Sequence, residues 1–388
     1  MGGQGSQVIE GQLNGIRLLL DERVRFATLS DQYMEAIPKG VTTIFYPLPY
    51  CPSDAIVEQL SEFVNKGGQL YISGDLSYDS ARQRTRTERL KALCGLEFVS
   101  ELFPNIAYQK GAEETLPGNS GWPKYMAAPG IVTRLAGAQL LLAGKDGTPI
   151  VTEFKRGLGR VIFSSDPIEL HGDPRYQGYA HAFYRQLASA FHLKGEPITP
   201  SDAPVHSFRG TSQDSREIVV LVNYDPSRTV QDIAVPIADQ TVKLTLQPRM
   251  TGVLVGDAKT GIQAVESSAD VFEEGHLLIG SNLHFMAISF SLDALRTAQR
   301  VLILPMGEGV IRLPQAGQWH SPVVLAGQVT AGRWKQDERF VPLQTDGNFM
   351  LSISANRSLS LLIVCESGKE TDAIQQIETW VNAPWELA

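Results

Sequence analysis

An open parallel α/β sheet followed by antiparallel β-sandwich modules is the fold class this sequence predicts. Three observations predict it. Helical and strand patterns alternate through the first half of the chain. A polar stretch from Glu196, carrying Pro197, Pro200 and Pro204, then reads as a linker. Beyond it, short β-rich runs separated by turn residues dominate. A length of 388 residues accommodates two or three domains. Hydrophobic residues at 43% and charged residues at 20% place the chain among globular proteins and outside the disordered class.

In chain order, Val8 to Leu20 carry apolar positions at helical spacing, and Val24 to Leu29 read as a short strand. Thr42 to Tyr46 (TTIFY), between Gly40 and Pro47, is a β-branched and aromatic run of the kind buried in parallel sheets. Ser53 or Asp54 caps the next helix, whose apolar face is Ile56, Leu60, Phe63 and Val64 and which stops at Gly67-Gly68. Gln69 to Ser73 (QLYIS) is a strand, and Thr87 to Cys94 a short helix ended by Gly95. Gln139 to Ala143 and Ile150 to Phe154 pair around Gly144-Lys145-Asp146-Gly147. Gly159 to Ser164 (GRVIFS) resumes the sheet, and Tyr176 to Phe191 closes the domain as a helix. Strand and helix in this alternation imply a flavodoxin-like domain over residues 1–195.

Past the linker, Glu217 to Asn223, Asp232 to Pro236, Thr241 to Leu246 and Gly252 to Val255 form one set of strands, a small β-sandwich over residues 196–256. His276 to Ile279, His284 to Ser289, Gln299 to Leu304, Val323 to Leu325, Phe349 to Ile353 and Ser360 to Cys365 form a second. With a helix near Asp372 to Val381, they make a C-terminal sandwich over residues 257–388.

Four stretches of the first domain carry a family resemblance: Ile44 to Tyr50 (IFYPLPY), Leu60 to Asp75 (LSEFVNKGGQLYISGD), Leu90 to Phe98, and Gly157 to Ser165. Together they resemble the trimerisation domain of the β-galactosidases of glycoside hydrolase family 42, a non-enzymatic relative of the class I glutamine amidotransferase fold. Ile218 to Asn223 followed by Leu246-Gln247-Pro248 resembles the small β domain that comes next in those enzymes. The resemblance implies carbohydrate metabolism, a homo-oligomer, and a catalytic TIM barrel that bears the two catalytic carboxylates and lies outside this sequence. The Gly-rich opening Met1 to Ser6 reads as the edge of an excerpt, so the native chain is expected to extend upstream of residue 7.

A net charge of −8 disfavours nucleic acid as a partner, and no apolar run approaches the roughly 18–20 residues of a membrane span. The first residues lack the charged-then-apolar pattern of a signal peptide, and three distant cysteines, Cys51, Cys94 and Cys365, indicate neither disulfides nor a thiolate metal site. The expected location is cytoplasmic. A nucleophilic cysteine in an amidotransferase-like fold needs a G-x-C-x-G elbow, and Cys51 and Cys94 lack it, so both read as small apolar residues. Gly157-Leu158-Gly159 precedes a strand rather than a helix, which makes it a hairpin turn and not a phosphate loop. The seven histidines show no metal-binding spacing, and no metal or cofactor is expected.

Three groups of residues remain as site candidates. Asp75, Asp79, Arg82, Arg84, Arg86 and Arg89 begin at the C-terminal end of QLYIS, where open α/β sheets place ligands. They read either as an internally neutralised loop or, preferably, as an interface whose guanidinium groups recognise carboxylates on a barrel or a neighbouring subunit. Asp166, Glu169 and His171 follow another strand end and form a weak ligand-site candidate, with turn stabilisation as the alternative. Trp122, Tyr125, Trp319 and Trp334 are candidates for stacking on sugar rings, against the alternative of core packing. Three functions are consistent with these residues. One is a non-catalytic accessory and oligomerisation region of a glycoside hydrolase, one a carbohydrate-binding module, and one a free-standing amidotransferase-like enzyme using Asp75, Glu169 or His171.

Overall fold

The computed structural model describes residues 3–30, 36–101, 113–117, 122–170, 174–200, 202–289, 294–319, 321–337, 343–345, 348–353 and 361–382. The chain divides into two units, Met1–Gly195 and Glu196–Ala388.

The first unit runs α1 (Gly3–Asp21), β1 (Thr43–Pro47), α2 (Asp54–Asn65), β2 (Gln69–Ser73), α3 (Glu88–Cys94) and β3 (Leu96–Glu101). The short β4 (Glu113–Glu114), β5 (Leu116–Pro117) and β6 (Met126–Ala127) follow. The unit ends with β7 (Ile131–Leu135), β8 (Gln139–Ala143), β9 (Pro149–Arg156), β10 (Gly159–Ser164) and α4 (Pro174–Ala190). Its main sheet has the order β1-β2-β10-β9-β8-β5. β1, β2 and β10 are mutually parallel, with Phe45 opposite Tyr71 and Tyr71 opposite Ile162. From β10 onward neighbours are antiparallel, so the sheet is mixed rather than parallel throughout.

The period-2 alternation of β2 sets the layers. Leu70 and Ile72 face a core with Ile56, Leu60 and Val64 of α2 and Leu90 and Leu93 of α3. Tyr71 faces the opposite core, with Leu18 and Leu19 of α1 and Phe183, Tyr184 and Leu187 of α4. Burial on both faces is why these strands read as continuous apolar runs. Ser53 caps α2 by accepting a hydrogen bond from the Ile56 amide at 3.3 Å. Val24 forms an isolated bridge with Gly195, and a strand over Val24 to Leu29 does not form; beyond Val24, residues 25–30 are exposed and pair with no strand among the described residues.

The β9–β10 hairpin passes so close to the end of α2 that a side chain at Gly159 would run into the backbone carbonyls of Val64 and Gly68. Neither carbonyl can withdraw as a flexible side-chain end would. Gly159→Ala is therefore expected to cost about 2–3 kcal/mol, read as a lowered urea midpoint at unchanged m-value.

The second unit contains β11 (Val205–Thr211), β12 (Glu217–Asn223), β13 (Val230–Ile237), β14 (Gln240–Leu246), β15 (Thr251–Asp257), β16 (Gly261–Ser267), β17 (Val271–Glu273) and β18 (His276–Ser281). It continues with β19 (Phe285–Ser289), β20 (Arg300–Pro305), β21 (Gly309–Leu313), β22 (Pro322–Thr330), β23 (Arg333–Asp337), β24 (Leu343–Thr345), β25 (Asn348–Ile353), β26 (Leu361–Glu366) and α5 (Glu370–Asn382). A sheet of order β11-β12-β15-β16-β19-β20-β26-β22-β23 lies against one of order β13-β14-β17-β18-β21-β25-β24. One core fills the space between them, with Val219, Leu254, Ile303 and Val364 from the first sheet and Val235, Leu244, Ile311 and Leu351 from the second.

This overturns a boundary at residue 256 between two sandwiches. β15 pairs directly with β16 across that position, and the strands on either side of it share the single core. In β26, Leu362 and Val364 point into that core while Ile363 and Cys365 pack under α5 with Ala373 and Ile377, which gives LLIVCE its unbroken apolar character.

Candidate functional site

The C-terminal edge of β1, β2 and β10 is where an open α/β sheet offers a ligand site. Here it is closed by the protein's own side chains. Glu169 lies in a single 3₁₀ turn, Ile168–Leu170, just after β10 and is 1% exposed. Its carboxylate accepts hydrogen bonds from Tyr71 at 2.9 Å, Tyr184 at 2.7 Å and Ser73 at 2.8 Å, and the Asn14 side chain of α1 donates to its backbone carbonyl at 3.0 Å. Burial pushes the Glu169 carboxyl above its usual value even though three hydroxyl donors oppose the shift. Burial and the Glu169 charge hold both tyrosines protonated well beyond their ordinary range.

The space beside Glu169 measures about 10 Å³, at most the room of one water molecule and too little for a substrate. Asp166 is fully buried nearby, and after burial itself its charge is what raises the Tyr125 phenol. His171 lies outside the described residues. Asp75 accepts from Ser77 and Arg84, whereas Glu169 accepts from Tyr71, Ser73 and Tyr184, so each of the two carboxylates is taken up by its own set of donors.

The arginine-rich loop is tied to its own domain. Arg84 donates to Ser77 at 3.1 Å, to Asp75 at 3.1 Å, to Tyr78 at 2.8 Å and to Glu101, with its guanidinium over the rings of Tyr78 and Phe98. Arg89, 5% exposed, donates to the carbonyls of Pro52 and Tyr78 at 3.0 Å each and to that of Leu76 at 3.4 Å, and it pairs with Asp54. Arg86 forks onto the same carboxylate, and hydrogen bonds from Arg86 and then Arg89 pull Asp54 down to about 2. Asp79 folds the loop tip by accepting from the amides of Ala81 and Gln83 and the hydroxyl of Thr85. Of the four arginines, Arg84, Arg86 and Arg89 are therefore paired within their own domain. Arg82 remains at the exposed tip over the Tyr50 ring.

The aromatic candidates divide. Trp122 and Tyr125 are 5% and 2% exposed and pack on Phe183, so neither ring face can meet a sugar. This corrects their reading as stacking platforms, because a Pro/Gly-rich sequence context does not reveal that the loop folds over α4. Trp319 packs against the sandwich core, and Trp334 sits beneath α5 with its amide donating to Glu378 at 2.8 Å. Cys51 has a thiol raised by burial, and Cys94 and Cys365 are buried, with burial pushing Cys365 up to about 12. None is poised as a thiolate nucleophile.

One polar constellation escapes sequence reading. In the sandwich, buried His284 bonds to Glu266 through Nε2 at 2.9 Å and to Ser268 through Nδ1 at 2.9 Å, while Thr251 donates to the same Glu266 oxygen at 2.9 Å. Burial would raise the Glu266 carboxyl, but the bonds from His284 and Thr251 outweigh it and hold it low. The serine–histidine–glutamate order is that of a hydrolase triad. Ser268, however, is 3% exposed and already accepts the Gln247 amide at 3.1 Å, leaving no approach for a substrate. The network pins β15, β16 and β19 together. Nothing in the spacing of residues 251, 266, 268 and 284 signals it, since only strand pairing unites them.

No group of three or more His, Cys, Asp or Glu side chains among the described residues could hold a metal ion, and no helix among them is long and apolar enough to cross a membrane. No protein-family model and no curated protein sequence matches the chain. Among solved structures, the β-galactosidase from Rahnella sp. R3 is similar at a TM-score of 0.50 and 18% identity, over 63% of this chain and 36% of that one. Gan42B, a GH42 β-galactosidase from G. stearothermophilus, gives 0.49 and 14% over the same shares, and the β-galactosidase from Bacillus circulans sp. alkalophilus gives 0.46 and 14% over 64% and 37%. At 18% identity the likeness to the Rahnella enzyme is one of fold. The chain spans little more than a third of the length of those enzymes.

Proposed function

We propose that the chain is a non-catalytic accessory and assembly region of a glycoside hydrolase related to the family 42 β-galactosidases, with hydrolysis carried by a TIM barrel elsewhere. The observation that carries this reading is the fold likeness to the Rahnella enzyme, which takes in 63% of this chain but 36% of that one. Two features of the first unit support it. The sheet edge that could have been an active site is filled by the Glu169 network. Apolar surface is also left outward: Ile9 and Leu13, one turn apart on α1, are each 60% exposed. Self-association through such a surface, with Arg82 as a polar contact, makes the assembly a homo-oligomer. A cytoplasmic location is supported by three free thiols.

Sedimentation velocity over a concentration series is expected to show self-association, and 4-nitrophenyl β-galactoside is expected to remain unhydrolysed. A strictly monomeric chain, or one that turns the substrate over, overturns the reading.

A further inference from the structure

On the outer face of the seven-stranded sheet, a groove of about 240 Å³ opens across β13, β14 and β17. Its origin is a β-bulge. Val230 pairs with Leu246 and Ile233 with Leu244, so Gln231 and Asp232 together oppose Thr245 alone, and the strand bends away from its neighbour. The bulge holds Asp232 at φ +53°, a left-handed conformation that costs a non-glycine residue on the order of 1 kcal/mol. That cost is retained at a residue that lines the groove.

The lining is chemically mixed. Phe272, half-buried, stands in register beside Lys243 on β14. Asp270 faces the groove with its Oδ1 fixed by the Ser281 amide at 2.7 Å. Two carboxylates against one ammonium disfavour an anion. A hydrocarbon ligand is disfavoured by a wall dominated by Gln231, Asp232, Lys243 and Asp270. An aromatic ring beside paired acceptors and donors matches a pyranose, whose C–H face packs on a ring while its vicinal hydroxyls bond to carboxylate and ammonium. At about 240 Å³ the groove is smaller than the roughly 300–1,000 Å³ of sites for drug-sized ligands, which fits one sugar ring and not an oligosaccharide.

We infer that this groove is a binding site for a single neutral pyranose, contacted by Phe272, Asp232, Asp270 and Lys243. The inference goes beyond the assembly role and does not depend on it. Trp319 and Trp334, the aromatic candidates that sequence offers in this unit, are not among its lining residues.

The full chain is to be titrated with the methyl pyranosides of galactose, glucose and mannose under saturation-transfer NMR, with inorganic phosphate as competitor. Transfer to at least one pyranoside at millimolar concentration, undisturbed by phosphate, is expected. Phe272→Ala and Asp232→Gly are each expected to weaken it about tenfold. Asp232→Gly is the decisive variant, because glycine relaxes the left-handed backbone and should leave the thermal midpoint equal or higher while removing a sugar contact. No transfer to any pyranoside, displacement by phosphate, or an unchanged affinity in Asp232→Gly overturns the site. None of these outcomes alters the sedimentation result, so the two readings fail separately.

Discussion

Replacing Glu169 by alanine is expected to destabilise the first unit by about 3–5 kcal/mol, at the upper end of what single substitutions cost. The change removes the common acceptor of Tyr71, Ser73 and Tyr184 and leaves three buried hydroxyl donors without it, each penalised by about 1–3 kcal/mol where no water can enter. It also opens a cavity where four elements meet, β2, α4, α1 and the turn after β10. Glu169→Gln is the control. Its carbonyl oxygen can accept from both tyrosines and its amide can donate to Ser73, so the loss should stay within about 1 kcal/mol.

The pair also separates charge from shape. Because burial raises the folded-state value of Glu169 above its unfolded value, its contribution to stability is fully present below the ordinary glutamate range of about 4.3 and is lost as pH rises through the raised value. Relative to wild type, Glu169→Gln should therefore gain stability as pH rises from the ordinary glutamate range through the raised folded-state value. Hydrogen exchange of the β2 and β10 amides reads both effects. Parallel pH profiles for the two proteins would show that Glu169 is not buried as an ionisable acid.

Much of the first unit was legible because its chemistry is local. QLYIS and GRVIFS are strands with buried centres and TTIFY is the half-buried strand beside them, and each announces itself through a short apolar run rich in β-branched and aromatic residues. The Ser53 cap and the Gly67-Gly68 stop have local signatures of the same kind. Position along the chain also placed Glu169 and the arginine loop correctly at strand ends. What the side chains do there was not legible, because their partners are distant in sequence. Tyr71 is 98 residues from Glu169, and Glu101 is 17 residues from Arg84. The sandwich was misdivided for the same reason. Turn residues around Gly256 look like those of any hairpin, and only the shared core shows that the strands on both sides belong to one unit. The groove depends on a register slip of one residue in β13, which leaves no mark in composition.

The arginine loop supplies the second large effect, and it decides between two readings of the same residues. If the loop is locked to its own domain, Arg89→Ala should cost about 3–4 kcal/mol, because the carbonyls of Pro52, Leu76 and Tyr78 lose a shared donor in a buried position and Asp54 loses one of its two arginines. Arg89→Lys should recover only part of this, since an ammonium cannot reproduce the planar fork that reaches carbonyls and carboxylate together. Arg82→Ala should cost no more than about 1 kcal/mol, the worth of an exposed cation–π contact with Tyr50. In sedimentation the order should reverse. Arg82→Ala weakens self-association while its fold is intact, whereas Arg89→Lys, assayed where it is still folded, associates as wild type does. Equal stability losses at positions 82 and 89 would contradict the lock. Unaltered association in Arg82→Ala would remove the loop tip from the assembly surface and leave Ile9 and Leu13 on α1 as the place to look for it.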